Sequence, residues 1–299
     1  MSTPVARLRQ LGSAAAIAAI LAAILVIVTP TSARADSWNA SNASEFKTAV
    51  EEANAGSPYE EHTITLTSNF TWDYTVPVEY TNTATLVIEG NGFVVTLDDD
   101  AASFLHVSGG SGVEFLHLTI TGNNVARTQA IKIEGDWVVL DEVIIAGVWG
   151  TKAAVEIEAT GQVFLYSSTF SDNRSTADDG GALSIDTDID AWIEDSVFED
   201  NKTVGNYGGG ALAIRSVNPN RIVKSHFANN TAVYHGGAIY AADASLWIYD
   251  STFEHNSTDR NGGAVYVESG SAEMANSVFF QNKARNGGAV YANSAVFAH

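Results

Sequence analysis

The sequence predicts an all-β fold, a right-handed parallel β-helix with an N-terminal capping helix. Three observations predict it. The motif Ser-x-Phe-x-x-Asn occurs five times, the tripeptide Gly-Gly-Ala alternates with it, and short β-branched runs separated by Gly, Asn and Asp fill the intervals. The motif phenylalanines are 28, 29, 26 and 26 residues apart. This irregular period is typical of a solenoid whose strands keep their length while its loops vary.

The composition excludes several functional classes. The chain is 45% hydrophobic and only 17% charged, which excludes a disordered tail. It has 15 Lys and Arg against 35 Asp and Glu, a net charge of −20, so nucleic acid is not an expected partner. There is no cysteine, which excludes disulfides, thiol catalysis and thiolate metal sites.

The first 35 residues have the pattern of a signal peptide. Arg7 and Arg9 precede an apolar run over 14–28, which is too short for a membrane span and suits a signal sequence. Ala33-Arg34-Ala35 is a cleavage site of the expected kind. The protein is therefore predicted to be exported, and no transmembrane span is expected in the mature chain.

Residues 36–62 are predicted to form an N-terminal cap. Phe46, Ala49, Val50 and Ala53 fall on one stripe of a helix, with Ser44 as the expected N-cap and Gly56 as the expected stop. The remainder, 63–299, is predicted to be β-helix, with the clearest repeats at about 163–299. The chain ends before a further Ser-x-Phe-x-x-Asn motif, so the β-helix is predicted to be truncated at its C-terminus.

The repeated residues are explained by stacking in coils of three short strands, each strand about 4.8 Å from its counterpart in the next coil. Like residues then stack on like residues, and residues two apart on a strand share a face. The motif phenylalanines would form an interior column and the motif asparagines a ladder of amides in the next turn. These structural ladders are Phe170, Phe198, Phe227, Phe253 and Phe279, and Asn173, Asn201, Asn230, Asn256 and Asn282.

The paired Gly-Gly-Ala-[Ile/Leu/Val] and Phe-x-x-Asn units resemble the repeats of polymorphic outer-membrane proteins, over about Phe170 to His299. Five alternating pairs make the resemblance specific. It implies a surface-exposed β-helix associated with adhesion, located in the extracellular space or at the cell surface, and at the outer membrane if a translocator domain follows residue 299. The implied partner is a protein or polysaccharide on a host or neighbouring cell.

Aromatic residues are expected in outward columns, where they would form a binding surface for sugar rings or a protein partner. The alternative is cross-strand pairing that only stabilises the sheet. The predicted binding-surface residues are Phe164, Trp192, Trp247, Tyr166, Tyr249, Tyr240, Tyr266 and Tyr291.

An enzyme is the second hypothesis, because pectate lyases and polygalacturonases also use β-helices. Its catalytic residues would be Asp178, Asp179 and His235, although solvated turn residues explain them more simply. Asp98, Asp99 and Asp100 are a candidate site for Ca²⁺, although a solvated turn explains them more simply, and otherwise no cofactor is expected. A passive structural stalk is the third hypothesis.

Overall fold

The structure is a computed structural model that describes residues 36–110, 112–124, 126–127 and 129–298. The predicted signal peptide lies outside these residues. The chain winds as a parallel right-handed β-solenoid of about 10 turns, which confirms the predicted fold class. Successive coils pair in register through parallel strands, so Phe170 pairs with Phe198 and Phe198 with Phe227.

Four sheets run along the solenoid, numbered here in the order in which a coil meets them. Sheet 1 has strands Asp36–Ala40, His62–Leu66, Leu86–Glu89, Val113–Leu116, Val138–Asp141, Val163–Tyr166, Ala191–Glu194, Asn220–Val223, Leu246–Tyr249, Ser271–Ala275 and Ala295–Ala298. Sheet 2 has Phe70–Trp72, Val94–Leu97, Thr119–Thr121, Ile144–Ala146, Thr169–Ser171, Val197–Glu199, His226–Ala228, Thr252–Glu254 and Val278–Phe280. Sheet 3 has the two-residue strands Ala126–Arg127, Trp149–Gly150, Arg174–Ser175, Lys202–Thr203, Thr231–Ala232 and Ser257–Thr258. Sheet 4 has Val78–Tyr80, Leu105–Val107, Ile131–Gly135, Val155–Ala159, Leu183–Thr187, Leu212–Ser216, Ile239–Ala241, Val265–Val267 and Val290–Ala292.

Sheet 3 differs from the three-strand coil expected from the sequence. Four of its six strands begin directly after a motif asparagine, as Arg174–Ser175 follows Asn173. A two-residue strand is too short to show the alternation by which strands are recognised. The short sheet lies between the asparagine turn and the Gly-Gly corner.

The helix α1, Ala43–Ala55, covers the first coils. Phe46, Ala49, Val50 and Ala53 are buried, as its stripe predicts. The predicted N-cap Ser44 is wrong, because Asn42 holds that position and its side chain accepts a hydrogen bond from the Glu45 N–H at 3.0 Å. Among the described residues, no helix is long and apolar enough to cross a membrane.

The interior of the solenoid is filled by buried apolar side chains. The rings of Phe170, Phe198, Phe227, Phe253 and Phe279 stack with centroids 4.6–5.1 Å apart and planes within 6° of parallel. The ring spacing follows the strand spacing, because residues in register are held at the distance between hydrogen-bonded strands. The regular stacking of the phenylalanine rings in this column is therefore a consequence of the in-register pairing of the coils.

The asparagines form a ladder beside this column. Asn201 donates its amide N–H to Asn230 Oδ1 at 3.0 Å and to the Phe170 carbonyl oxygen at 2.9 Å. The same pattern recurs at each step from Asn173 to Asn282. The residue before each asparagine, such as Asp200 (φ 56°), takes the left-handed backbone conformation that forms the turn.

The two glycines of each Gly-Gly pair are required for different steric reasons. Gly236 has φ 62°, and a Cβ there would lie 2.0 Å from the Ile239 carbonyl oxygen. A Cβ on Gly237 would lie 2.1 Å from the Gly263 carbonyl oxygen of the next coil. The first glycine therefore provides a left-handed turn, and the second allows two coils to approach closely.

Candidate binding faces on sheets 1 and 4

The outer side of sheet 1 carries a row of half-buried rings. Phe164, Trp192, Arg221, Trp247 and Glu273 occupy one outward column in successive coils. Arg221 stands between two tryptophans in this column but does not interrupt the row. Its guanidinium carbon lies 5.6 Å from the Trp192 ring centroid and 4.9 Å from that of Trp247, within the range of cation–π attraction.

The neighbouring outward column extends this surface. Tyr166 lies beside Phe164, with ring centroids 6.0 Å apart, and the Tyr249 hydroxyl donates to Glu273 Oε1 at 2.8 Å. Glu194 and Val223 separate the two tyrosines in the column. We call this surface the aromatic face, made of Phe164, Tyr166, Trp192, Glu194, Arg221, Trp247 and Tyr249.

Glu194 was not recognised from the sequence, yet it is one of the most buried residues of the aromatic face, at 5% exposed. Its Oε1 accepts a hydrogen bond from Lys224 Nζ at 3.0 Å. Its Oε2 is buried without a hydrogen-bond partner among the described residues, and so is Trp192 Nε1. A carboxylate is an unexpected residue in an aromatic row, and its spacing of two from Trp192 was the signal that could have found it.

The three predicted tyrosines of sheet 4 lie on a different side of the solenoid. The rings of Tyr240, Tyr266 and Tyr291 stack with centroids 5.7 Å apart. Tyr266 is only 5% exposed, and the His235 ring stacks on it at 4.2 Å. The eight predicted residues therefore form two separate surfaces, one on sheet 1 and one on sheet 4, and only the sheet 4 ladder has a buried ring, that of Tyr266.

A groove of about 230 Å³ opens on sheet 4 beside this ladder. Its floor is formed in part by Ser184 and Ala213, which stand in register between the larger Glu156 and Tyr240. The charged residues that line it are Glu156, Glu158, Asp178, Asp179, Asp186 and Arg215. Small side chains in two successive coils thus create a depression in an otherwise filled surface.

Two of the three predicted catalytic residues, Asp178 and Asp179, line this groove. Asp178 pairs with Lys152 Nζ at 2.8 Å, and Asp179 accepts a hydrogen bond from the Gly208 N–H at 2.5 Å. Burial raises the pKa of the Asp179 carboxyl, although the Gly208 N–H opposes this. His235 does not line the groove, and burial lowers the pKa of its ring.

The predicted Ca²⁺ residues do not converge. Asp98, Asp99 and Asp100 are exposed, and Asp99 accepts a hydrogen bond from Asn123. Within the described ranges, no group of three or more His, Cys, Asp or Glu side chains is placed to hold a metal ion.

The comparison with protein families matches this architecture. A family model for the right-handed β-helix region matches residues 59–298. No curated protein matches the sequence. A solved structure, L. reuteri 53608 SRRP, is similar with 14% identity and a TM-score of 0.34, covering 88% of this chain and 98% of that chain. A similarity at this level does not bear on function.

Proposed function

The chain belongs to the right-handed β-helix family, a fold that does not specify one activity, and we propose that it is an exported, non-enzymatic binding module. Its location would be the extracellular space or the cell surface. The resemblance to polymorphic outer-membrane repeats supports an adhesive role. The ligand would be a polysaccharide or protein on a host or neighbouring cell.

The observation that carries this proposal is the aromatic face of sheet 1. Half-exposed rings recur there at the coil spacing, and the Arg221 guanidinium lies between two of them. Aromatic rings offer large contact areas with little loss of side-chain entropy on binding, which is why they are enriched at recognition surfaces. A row parallel to the solenoid axis fits an extended ligand.

The test is binding of the full exported chain to a panel of polysaccharides and to intact cells. Trp247→Ala is expected to weaken binding about tenfold or more, because a buried aromatic anchor can dominate an interface. Trp149→Ala is the matched control, since Trp149 stacks with Arg174 at 5.1 Å on sheet 3, away from the aromatic face. Equal effects of the two substitutions would exclude the aromatic face as the binding surface, and no binding at all would refute the proposal and favour a passive stalk.

A polysaccharide-active enzyme is the second candidate, supported by the sheet 4 groove. Asp178 is held beside a lysine while burial raises the pKa of Asp179, and two carboxyls in unlike environments are what acid–base cleavage of a glycosidic bond requires. If the chain is such an enzyme, the same panel of polysaccharides would show new reducing ends or unsaturated products. Loss of those products in Asp179→Asn would assign the activity to the groove.

A further inference from the structure

Two buried polar atoms in the aromatic face lack partners. Trp192 Nε1 is a donor and Glu194 Oε2 is an acceptor, and both are buried without a hydrogen bond among the described residues. Native proteins satisfy nearly all buried polar groups, so an unsatisfied donor and an unsatisfied acceptor two residues apart on one strand are unusual. The two atoms belong to the same strand, Ala191–Glu194.

The position of these residues suits a single small polar group. Residues two apart on a strand point to the same face, with Cα atoms roughly 6–7 Å apart. A hydroxyl both accepts and donates, so one hydroxyl can bind the indole N–H and the carboxylate oxygen together. An ammonium only donates and a carboxylate only accepts, so neither satisfies both atoms.

The charges around the two atoms do not favour an ionic ligand. Arg221 Nη1 pairs with Asp190 Oδ2 at 2.6 Å, and Lys224 Nζ pairs with Glu194 Oε1 at 3.0 Å. Both cations are therefore already paired, and the further acidic side chains whose charges act on Lys224 would repel a polyanion. An ammonium group has no acceptor for Trp192 Nε1, so a polycation would leave that atom unsatisfied.

Access to the two atoms depends on long side chains at the surface. Lys224 is exposed, and its ion pair with Glu194 joins it to the edge of the face. Moving this lysine leaves a carboxylate that is only 6% exposed without its cation, so the ligand must supply a hydrogen-bond donor to Glu194 in exchange. Its displacement would open the carboxylate to a ligand.

We infer that Trp192 and Glu194 form a hydroxyl-binding subsite, and that the ligand of the aromatic face is a neutral polysaccharide. This inference rests on the proposed binding function. A sugar ring would pack against the neighbouring aromatic side chains while one hydroxyl accepts from Trp192 Nε1 and donates to Glu194. The Trp192 ring supplies apolar contact and the N–H supplies orientation.

The experiment measures equilibrium binding of the full chain to dextran and galactomannan as neutral probes, and to polygalacturonate and chitosan as charged ones. Trp192→Phe keeps an aromatic ring and removes the N–H, and Glu194→Gln keeps the size and removes the charge. Each is expected to weaken binding of a neutral probe about tenfold, the effect of losing one hydrogen bond to a buried group. The double substitution is expected to be little worse than either single one, because both act on the same hydroxyl.

Trp247→Phe is the matched control, since it shortens a ring of the same face without removing a buried, unpartnered N–H. Urea midpoints of all variants show whether the fold is intact, and Glu194→Gln serves if Trp192→Phe does not fold. Equal losses in Trp192→Phe and Trp247→Phe would overturn the subsite, as would preference for a charged probe. Binding to cells without binding to any neutral probe would overturn the subsite and leave the binding function standing, whereas no binding to cells or probes would overturn both.

Discussion

Replacing Asn230 by alanine tests whether the asparagine ladder stabilises the coils. The Asn230 side chain is 0% exposed and takes part in four hydrogen bonds of 2.9–3.0 Å. Its Oδ1 accepts from both the backbone and the amide N–H of Asn201. Its own amide donates to Asn256 Oδ1 and to the Phe198 carbonyl oxygen.

The magnitude follows from the groups that alanine leaves behind. Two buried N–H groups of Asn201 lose their acceptor, and each buried donor without a partner costs about 1–3 kcal/mol. We therefore expect a loss of about 2–6 kcal/mol in the free energy of unfolding. Asn282 makes the equivalent contacts but is half-buried near the end of the ladder, so water can replace its oxygen, and Asn282→Ala should cost about half as much or less.

The assay is urea unfolding followed by far-UV circular dichroism, together with native-state hydrogen exchange at the Asn201 backbone N–H. Asn230→Ala should lower the midpoint and speed exchange at that amide. Solenoids are stabilised by contacts between neighbouring coils, so the effect should be largest in the adjoining coils. The reasoning would be refuted if Asn230→Ala were no more destabilising than Asn282→Ala.

Three further predictions concern packing, backbone and pH. Phe227→Ala should cost about 3–5 kcal/mol by urea unfolding, and Phe279→Ala less, because Phe279 is only half-buried. Gly236→Ala should destabilise strongly, since its Cβ would lie 2.0 Å from a carbonyl oxygen, whereas Gly92→Ala, with φ 75° but nothing within 4 Å, should cost only about 1 kcal/mol in thermal unfolding. His62 is 0% exposed and burial lowers the pKa of its ring, so the unfolded chain binds its proton more readily and stability should fall as pH drops below about 6.5. The fall should reach about 1.4 kcal/mol per pH unit at most and level off below the lowered pKa, and a pH series of urea midpoints that is unchanged in His62→Gln would contradict it.

The contacts of His62 were not predictable from the sequence. The Tyr80 hydroxyl donates to the Ala84 carbonyl oxygen at 3.1 Å and lies 2.8 Å from His62 Nδ1. The hydroxyl therefore joins the buried ring to the backbone at Ala84. Neither the spacing of these residues nor their type indicated this chain of contacts.

The repeats were sufficient to predict the fold class. A parallel solenoid places equivalent residues of successive coils in register. Phe198 therefore pairs with Phe227 even though the loops of the coils differ in length. Interior and corner positions admit few residue types, and the pattern of those types is therefore visible in the sequence. The helix stripe of Phe46 was visible for the same reason, because burial imposes a regular spacing.

The candidate sites were only partly predictable. The outward columns of Trp192 and Trp247 could be aligned from the repeat, but the placement of Arg221 between their rings could not be distinguished from an interruption. Outer positions tolerate many residue types, so a functional residue there leaves no periodic signal. Asp179 and His235 looked equivalent in sequence, yet only Asp179 lines the groove.

The sequence alone was enough for the solenoid fold, its interior columns and its capping helix, because local spacing and burial dictate them, whereas the two-residue strands of sheet 3 left no pattern to recognise. Tertiary structure decided which outward side chains meet. The groove depends on Ser184 and Ala213 lying in adjacent coils, and the unpartnered atoms of Trp192 and Glu194 depend on what covers them. These are contacts between residues a full coil apart, whose side-chain directions and neighbours are set only when the coils stack.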